Sequence, residues 1–374
     1  MNERLLIDFF KDLHAHPELG YAEHRTTEKL LEVLHAHGIR TLDTGMDTGA
    51  VAVIGAPGGR VIGLRGDMDA LPIREESGLA YASAVPGLMH ACGHDFHTSV
   101  MLGAALLLKE REAALQGQVK IAFQPAEETD SGAKRLLATG LLNDAAEFYG
   151  VHSYPWFPAG TLGIKEGPVM ASPDRFAITV RGVGAHGGAP QKGVDPIPAA
   201  AAIVLGAQTI VSRRMDPFKA AVVSVTRLQA GNTWNVVPEE AQIEGTVRTL
   251  ALEDRAFIRE LLERMARSTA QAYGCEASMA WVDGSAPVVN DAGLCAAARK
   301  LALEMGLAVD RQEDTMGGED FSEYLKGRPG VFIRVGTGGD YPNHHPKFTV
   351  DPAALLPAAA FFARLAEERL KATR

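Results

Sequence analysis

Residues 61–69 read Val-Ile-Gly-Leu-Arg-Gly-Asp-Met-Asp, a short apolar run that ends in two carboxylates. A continuous apolar run bounded by glycine and proline predicts a strand buried on both faces of a sheet. Further strands are predicted at 119–123, 147–151 and 331–335, and apolar residues at helical spacing predict a helix over 96–110. Strands that alternate with helices predict an α/β fold with a doubly wound, mostly parallel sheet.

A second domain is predicted inside the first one. From 176 to 282 the pattern reads strand, helix, strand, strand, helix, strand, which is the order of a ferredoxin-like α+β domain. The chain of 374 residues is also longer than one hydrophobic core usually supports. We therefore expect one domain formed by 1–174 plus 288–374, and an inserted domain formed by 175–287.

Polar side chains follow the predicted strands of the first domain. Asp67 and Asp69 follow one strand, Glu127 and Glu128 follow another, and His152 follows a third. The loop after the last predicted strand carries two adjacent histidines. Ligands of doubly wound sheets bind beyond the carboxyl ends of the strands, so we expect a binding site at this edge.

Residues 90–97 read His-Ala-Cys-Gly-His-Asp-Phe-His and narrow the chemistry of that site. A single glycine separates Cys92 from His94, so a sulfur and a nitrogen can face one centre. This mixture of ligands suits a divalent Zn, Ni, Co or Mn ion better than Mg or Ca. The alternative is that the histidines are polar surface and that Cys92 is a small buried apolar residue.

Two adjacent carboxylates, Glu127 and Glu128, end the strand at 119–123. Neighbouring side chains diverge, so one can bind a metal while the other takes a proton from water. Metal-assisted hydrolysis requires this division between a ligand and a general base. The alternative is an exposed acidic turn.

Three further acids, Asp67, Asp69 and Asp95, are candidates to orient histidines that bind metal. For Asp67 and Asp69, a helix N-cap or an Asx turn is a competing interpretation. His344 and His345 are adjacent, and their spacing does not decide which of them binds metal.

Three polar residues of the inserted domain are weaker candidates. His186 is flanked by glycines, which allow close approach of the backbone to another group. Asn235 and Arg248 lie at the ends of strands of core-like composition. Each of the three, taken alone, is more often structural than functional.

The composition limits the partners and the compartment. The net charge of -9 provides no basic surface for nucleic acid or an anionic membrane. Three scattered cysteines do not form a disulfide framework, which favours a reducing compartment such as the cytoplasm. The most apolar stretch, 199–211, is too short to span a membrane and contains Gln208.

Read together, these stretches resemble the M20 metallopeptidase family in its aminoacylase-like amidohydrolase branch. That branch includes hippurate hydrolases, auxin-conjugate hydrolases and bacterial deacetylases of N-acetyl amino acids and N-acetyl sulfur compounds. The matching segments run in the family's order over nearly the whole chain and are 14–20, 66–72, 89–97, 123–128, 184–187, 235–238, 317–321 and 344–348.

The resemblance implies a site for two divalent ions (Zn, Mn, Ni or Co) in which Cys92 bridges the pair. It adds His94, Glu128, His152 and His344 as the other ligands, with Glu127 as general base. His344 rather than His345 matches the family pattern His-x-Pro.

The resemblance also implies a role for the inserted domain as a lid and as the contact of a homodimer. There His186 would stabilise the oxyanion in a neighbouring subunit's active site, and Asn235 and Arg248 match positions near the substrate. The expected reaction is hydrolysis of an N-acyl, chiefly N-acetyl, amino acid.

Two alternatives to this reaction remain. A metallo-dipeptidase or aminopeptidase would need an acidic group for the substrate ammonium, and the inserted domain shows no dedicated acidic cluster. A non-catalytic metal-binding protein would not need Glu127. The sequence does not decide the acyl group, the amino-acid side chain, the native metal or the metabolic pathway.

Overall fold

The computed structural model describes residues 3–129, 131–311 and 314–372. The helices are α1 (Glu3–Ala15), α2 (His24–Ala36), α3 (His94–Glu110), α4 (Gly132–Ala138), α5 (Pro196–Thr209), α6 (Leu252–Ala272), α7 (Ala292–Glu304) and α8 (Leu355–Lys371). The strands are β1 (Arg40–Leu42), β2 (Ala50–Gly55), β3 (Arg60–Asp67), β4 (Gly117–Gln124), β5 (Glu147–Tyr154), β6 (Leu162–Gly163), β7 (Gly167–Met170), β8 (Ser172–Arg181), β9 (Ala185–His186), β10 (Ala221–Ala230), β11 (Val236–Val237), β12 (Glu240–Thr249), β13 (Glu276–Val282), β14 (Val288–Asn290), β15 (Val309–Asp310) and β16 (Gly330–Gly336).

The chain divides into two compact units. Unit 1 consists of Met1–Val169, Val289–Glu313 and Asp320–Arg374, and unit 2 of Met170–Val288 and Asp314–Glu319. The long segment of unit 2 begins and ends within a few residues of the predicted insertion at 175–287. The short segment was expected in the first domain. It belongs to unit 2 because its backbone contacts the residue directly before β8, where the Ala171 N–H donates to the Gly317 carbonyl over 2.9 Å.

Unit 1 contains an eight-stranded sheet in the order β1-β2-β4-β3-β5-β16-β6-β15. Its central strands β4, β3, β5 and β16 run parallel to one another. The pairs β1–β2, β2–β4 and β16–β6 are antiparallel and the pair β15–β6 is parallel, so four of the seven neighbouring pairs are parallel and the sheet is mixed with the predicted parallel majority. A short connection between β1 and β2 permits this arrangement, since antiparallel neighbours need no crossover helix.

The core of unit 1 places the predicted site residues at one edge of the sheet. Strand β3 is buried from Val61 onwards and ends at Asp67, between β4 and β5. Strand β5 pairs with β16 as far as Tyr154, so His152 lies within this strand and not after it as predicted. Helix α3 begins at His94 directly after Gly93, which has a left-handed φ of 84°.

Unit 2 has the predicted order of elements, strand-helix-strand-strand-helix-strand. Strands β10, β12, β8 and β13 form an antiparallel sheet in that order, as in a ferredoxin-like domain. The buried sides of α5 and α6 share one hydrophobic core with this sheet. A separate two-stranded sheet pairs β9 with β11.

The apolar helix of unit 2 is longer than the sequence indicated. It continues from α5 through a π-helical turn, Ile210–Arg214. Within the described residues, Pro196–Arg214 is the one helix that is long and apolar enough to cross a membrane, and 33% of it is buried. Its buried residues Ala199, Ala200, Ile203 and Ala207 pack into the core of unit 2. A core helix of a globular protein can therefore have the same length and apolar composition as a membrane-spanning helix.

Candidate metal centre and active site

Three potential metal ligands converge in unit 1. A sulfur of Cys92, a ring nitrogen of His94 and a carboxylate oxygen of Glu128 all lie within 4.8 Å of one another. Cys92 and His94 are almost completely buried, and Glu128 is partly buried. They are brought together because the start of α3 lies beside the segment that follows β4.

The partners of His94 leave one of its nitrogens free to bind a cation. Its Nδ1 donates to Asp69 Oδ1 over 3.1 Å, so in the neutral ring the lone pair is on Nε2. That nitrogen is 3.9 Å from Glu128 Oε1, and among the described residues neither buried atom has a hydrogen-bond partner. Burial opposes a charge on the ring, but Asp67, Cys92 and Asp69 outweigh it and raise the pKa of His94. The surroundings thus favour a cation here.

His152 presents a neutral ring to the same centre. Its Nδ1 donates to the Ser153 carbonyl over 2.8 Å, and its Nε2 lies 3.6 Å from the Cys92 sulfur. Burial, followed by the nearby His97 ring, holds the pKa of His152 well below its ordinary value. The ring is therefore neutral at physiological pH, which is the form that binds metal.

The adjacent histidines 344 and 345 have different surroundings. His344 Nε2 lies 3.3 Å from Glu128 Oε1, and the nearby Cys92 thiol and Glu128 carboxylate raise the pKa of His344 to about 10. His345 stacks on the ring of Tyr341 at 4.5 Å, and its Nδ1 accepts from the Lys347 N–H. Of the two, His344 is the one beside the other candidate ligands.

Asp69 connects the histidine to the pair of glutamates. One oxygen accepts from His94 and from the Glu127 N–H at 3.0 Å, and the other accepts from the Glu128 N–H at 3.1 Å. A single buried carboxylate therefore orients the imidazole and fixes the backbone of the 127–128 turn. This is the arrangement expected of a group that orients metal ligands.

The other two predicted acids contact different histidines. Asp67 accepts from His97 Nδ1 at 2.6 Å and forms a buried ion pair with Arg65, whereas it is 3.8 Å from His94. His97 Nε2 accepts from the Ser153 N–H. Both nitrogens of His97 are thus engaged, so this third histidine of the 90–97 stretch is not a candidate ligand.

Asp95 contacts a histidine that the sequence analysis did not single out. His14, at the end of α1, donates from Nδ1 to Asp95 Oδ2 over 2.7 Å, and its Nε2 is 3.1 Å from Glu75. The only sequence signal for His14 was its place in a family-like segment. Burial disfavours the charged ring, but the hydrogen bonds with Asp95 and Glu75 raise the pKa of His14 to about 10.

These side chains fit a divalent metal centre. A cysteine sulfur, which binds metal as the thiolate, several imidazole nitrogens and a carboxylate form the donor set that Zn and neighbouring divalent metals prefer. His94 and His152 donate their Nδ1–H groups to the Asp69 carboxylate and the Ser153 carbonyl, respectively. These hydrogen bonds orient the Nε2 atoms of both rings towards the proposed metal centre. The two buried atoms without hydrogen bonds, His94 Nε2 and Glu128 Oε1, are accounted for if they bind metal.

The three predicted residues of unit 2 lie on its strands or next to them. His186 is exposed in β9, and its Nδ1 accepts from the Gly188 N–H over 2.9 Å. The neutral ring therefore carries its proton on Nε2 and can donate it. Asn235 directly precedes β11, where its carbonyl accepts from the Gly187 N–H, so it is a neighbour of His186. Arg248 lies in β12, paired with Pro173.

The sequence profile of Peptidase family M20/M25/M40 matches residues 63–368. The chain belongs to the M20 family. It is 46% identical over 363 residues to N-acetylcysteine deacetylase of Bacillus subtilis strain 168, covering 96% of each protein. It is also 34% identical over 374 residues to thermostable carboxypeptidase 2 of Saccharolobus solfataricus, covering 97% of this chain and 95% of that protein.

A solved structure agrees with this M20 assignment. The Bacillus subtilis YXEP protein, described as a dinuclear metal-binding peptidase of the M20 family, has a TM-score of 0.91 and 43% identity, with 99% of each chain covered. The chain is therefore an M20 metal-dependent amidohydrolase with an α/β fold, and its cofactor is a pair of divalent ions.

Proposed function

We propose that this M20 enzyme hydrolyses N-acetyl amino acids to acetate and the free amino acid, with N-acetylcysteine-like compounds as its first candidate substrates. The observation that carries the proposal is the convergence of Cys92, His94 and Glu128, together with the acid Glu127, which directly precedes Glu128 in the sequence. The 46% identity to a deacetylase of N-acetylcysteine over nearly the whole chain supports the substrate class.

The metal pair would be held by Cys92, His94, Glu128, His152 and His344. When bound, the ions lower the pKa of a water molecule and polarise the substrate carbonyl. These five side chains come from four separate segments of unit 1, so the fold determines how the proposed ligands are arranged.

Glu127 is the proposed general base. Its carboxylate takes a proton from the attacking water, whose oxygen forms a bond with the carbonyl carbon. The amide C–N bond then breaks, and Glu127 returns the proton to the leaving nitrogen. Asp69 supports both steps because it fixes the backbone N–H groups of Glu127 and Glu128.

Unit 2 would act as the lid and the dimer contact. The Nε2–H of His186 would donate to the oxygen of the developing oxyanion in the neighbouring subunit's site. Asn235 and Arg248 would bind the polar end of the substrate. The cysteines Cys92, Cys275 and Cys295 are free and buried, which supports a reducing compartment, and we propose the cytoplasm.

The test is a substrate panel with defined metals. The protein is first treated with a chelator and then supplied with Zn, Mn, Co or Ni. N-acetylcysteine, N-acetylmethionine, hippurate, a dipeptide and a peptide with a free carboxyl terminus are compared by kcat/KM. We expect metal-dependent turnover that is fastest on an N-acetyl amino acid. Faster turnover of the peptides would instead support the activity that the carboxypeptidase relative is named for.

A further inference from the structure

Two polar side chains next to the proposed ligands form a hydrogen-bonded cluster that the mechanism above does not use. Asn343 precedes His344 and Ser153 follows His152. Asn343 Nδ2 donates to Ser153 Oγ over 2.9 Å and to the Cys92 carbonyl over 3.1 Å. Ser153 Oγ donates to the same carbonyl over 2.8 Å. One amide therefore connects three segments that each carry a candidate ligand.

The same amide also reaches the Cys92 sulfur. Asn343 Nδ2 lies 3.9 Å from Sγ, at the long end of the range for an N–H···S hydrogen bond. The amide has two N–H groups, so one can bond to Ser153 while the other is shared between the carbonyl and the sulfur of Cys92. Hydrogen bonds to a metal-bound sulfur change the properties of the centre.

The backbone around the cluster adopts conformations that need support. His344 has a φ of 67°, in the left-handed region that costs energy for a residue with a side chain. Its N–H is fixed on the Ala91 carbonyl at 2.7 Å. At Gly93 an added Cβ would lie 2.9 Å from Ser153 Oγ, so the three segments pack without spare room.

We propose that Asn343 is a positioning residue of the metal centre, which holds the segments of Cys92, His152 and His344 together and donates an N–H to the Cys92 sulfur. The inference rests on the proposed function in taking these three residues as ligands. It adds a determinant of metal affinity that binds neither metal nor substrate. Removing the amide changes how the ligand set is held and leaves the ligands themselves intact.

The test compares Asn343→Ala and Asn343→Asp with a matched control, Asn290→Ala. Asn290 is a buried amide that donates to the carbonyls of Lys165 and Phe332 and accepts from the Phe332 N–H, and within the described part of the chain none of these hydrogen bonds joins it to Cys92, His152 or His344. Asn343→Asp keeps the size of the side chain but puts a carboxylate oxygen in place of the NH2 donor. The variant therefore distinguishes the loss of the donated hydrogen bonds from the loss of side-chain packing.

Two readouts other than activity are measured for each variant. The first is the dissociation constant for Zn, from competition with a chelator. The second is the sulfur-to-cobalt charge-transfer absorption of the Co-loaded protein. We expect both Asn343 variants to bind Zn roughly 10- to 100-fold more weakly and to shift the absorption band. Asn290→Ala should lower thermal stability and leave both readouts as in the unmodified protein.

Two results would overturn the inference. One is an unchanged band and affinity in both Asn343 variants, and the other is an equal loss of affinity in Asn290→Ala. Failure of the proposed function has a different signature. If the unmodified protein shows no sulfur-to-cobalt band, Cys92 is not a ligand. If the unmodified protein shows the band but the variants alter neither the band nor the affinity for Zn, only the role of Asn343 is wrong.

Discussion

His344 and His345 have the same chemistry and different neighbours. His344 lies 3.3 Å from Glu128, whereas His345 stacks on Tyr341. We expect His344→Ala to lose bound metal and activity, because one of the converging nitrogens disappears. His345→Ala is the matched control and should keep its metal content. Metal analysis after gel filtration measures both variants, and equal losses would mean that the structure does not separate the two histidines.

Spacing along the chain, without the family resemblance, points to candidate partners only where the two residues are close in sequence. One residue separates Cys92 from His94, and Glu127 directly precedes Glu128. This spacing was enough to predict a metal ligand pair and a ligand beside a general base. Asn343 contacts a carbonyl 251 residues away, and His14 contacts an acid 81 residues away. No local pattern marks such contacts, because they exist only after the sheet has brought the segments together.

At the scale of elements, α1 is attached to α3 through a buried charge. His14 at the end of α1 lies between Asp95, in the first turn of α3, and Glu75, in the preceding loop. With a pKa of about 10, the folded protein keeps this ring protonated where the unfolded chain, at about 6.5, does not. The stabilisation is therefore complete below about pH 6.5 and is lost as the pH rises towards 10.

This difference in pKa predicts a pH-dependent stability. For chelator-treated protein, the free energy of unfolding should fall between about pH 6.5 and about pH 10, with a slope approaching 1.4 kcal/mol per pH unit from this one group. His14→Gln should reduce the slope, while His35→Gln, at an exposed position of α2, should not. Urea unfolding at several pH values measures the slope for the unmodified protein, His14→Gln and His35→Gln. Identical slopes in these three proteins would refute the role of His14.

The main strands and helices were predictable because their apolar patterns are long and regular. The sequence missed the short strands β1, β6 and β15, each of two or three residues, since they depend on pairing and not on pattern. The sequence pattern also predicted that this strand, β5, ends before His152. Parallel pairing with β16 extends this strand to Tyr154, and no feature of the strand's own sequence specifies that extension.

At the scale of the whole molecule, unit 2 exposes several large apolar side chains. Leu205, Phe218 and Trp234 are 73%, 97% and 93% exposed, and β10 is an edge strand of the sheet. Exposed apolar surface next to an open strand edge favours association with a second copy. We expect a homodimer that buries about 1,000 Å² or more in total.

The proposed dimer gives His186 a testable role. His186→Ala should lower kcat without loss of metal, because this residue would stabilise the transition state and bind no ion. Metal analysis and sedimentation of the same sample are the controls. A fully active monomer at the concentration of the assay would contradict the contribution of His186 from a neighbouring subunit.

The central claim is that two adjacent glutamates divide the chemistry, with Glu128 as ligand and Glu127 as general base. The most direct measurement is metal content and kcat for Glu127→Gln and Glu128→Gln, prepared in parallel. Glu127→Gln should keep both ions and lose roughly 10²- to 10⁴-fold in rate, since an amide does not accept the proton of water. Glu128→Gln should lose metal together with activity. Equal loss of metal in both variants, or an active Glu127→Gln, would contradict the account.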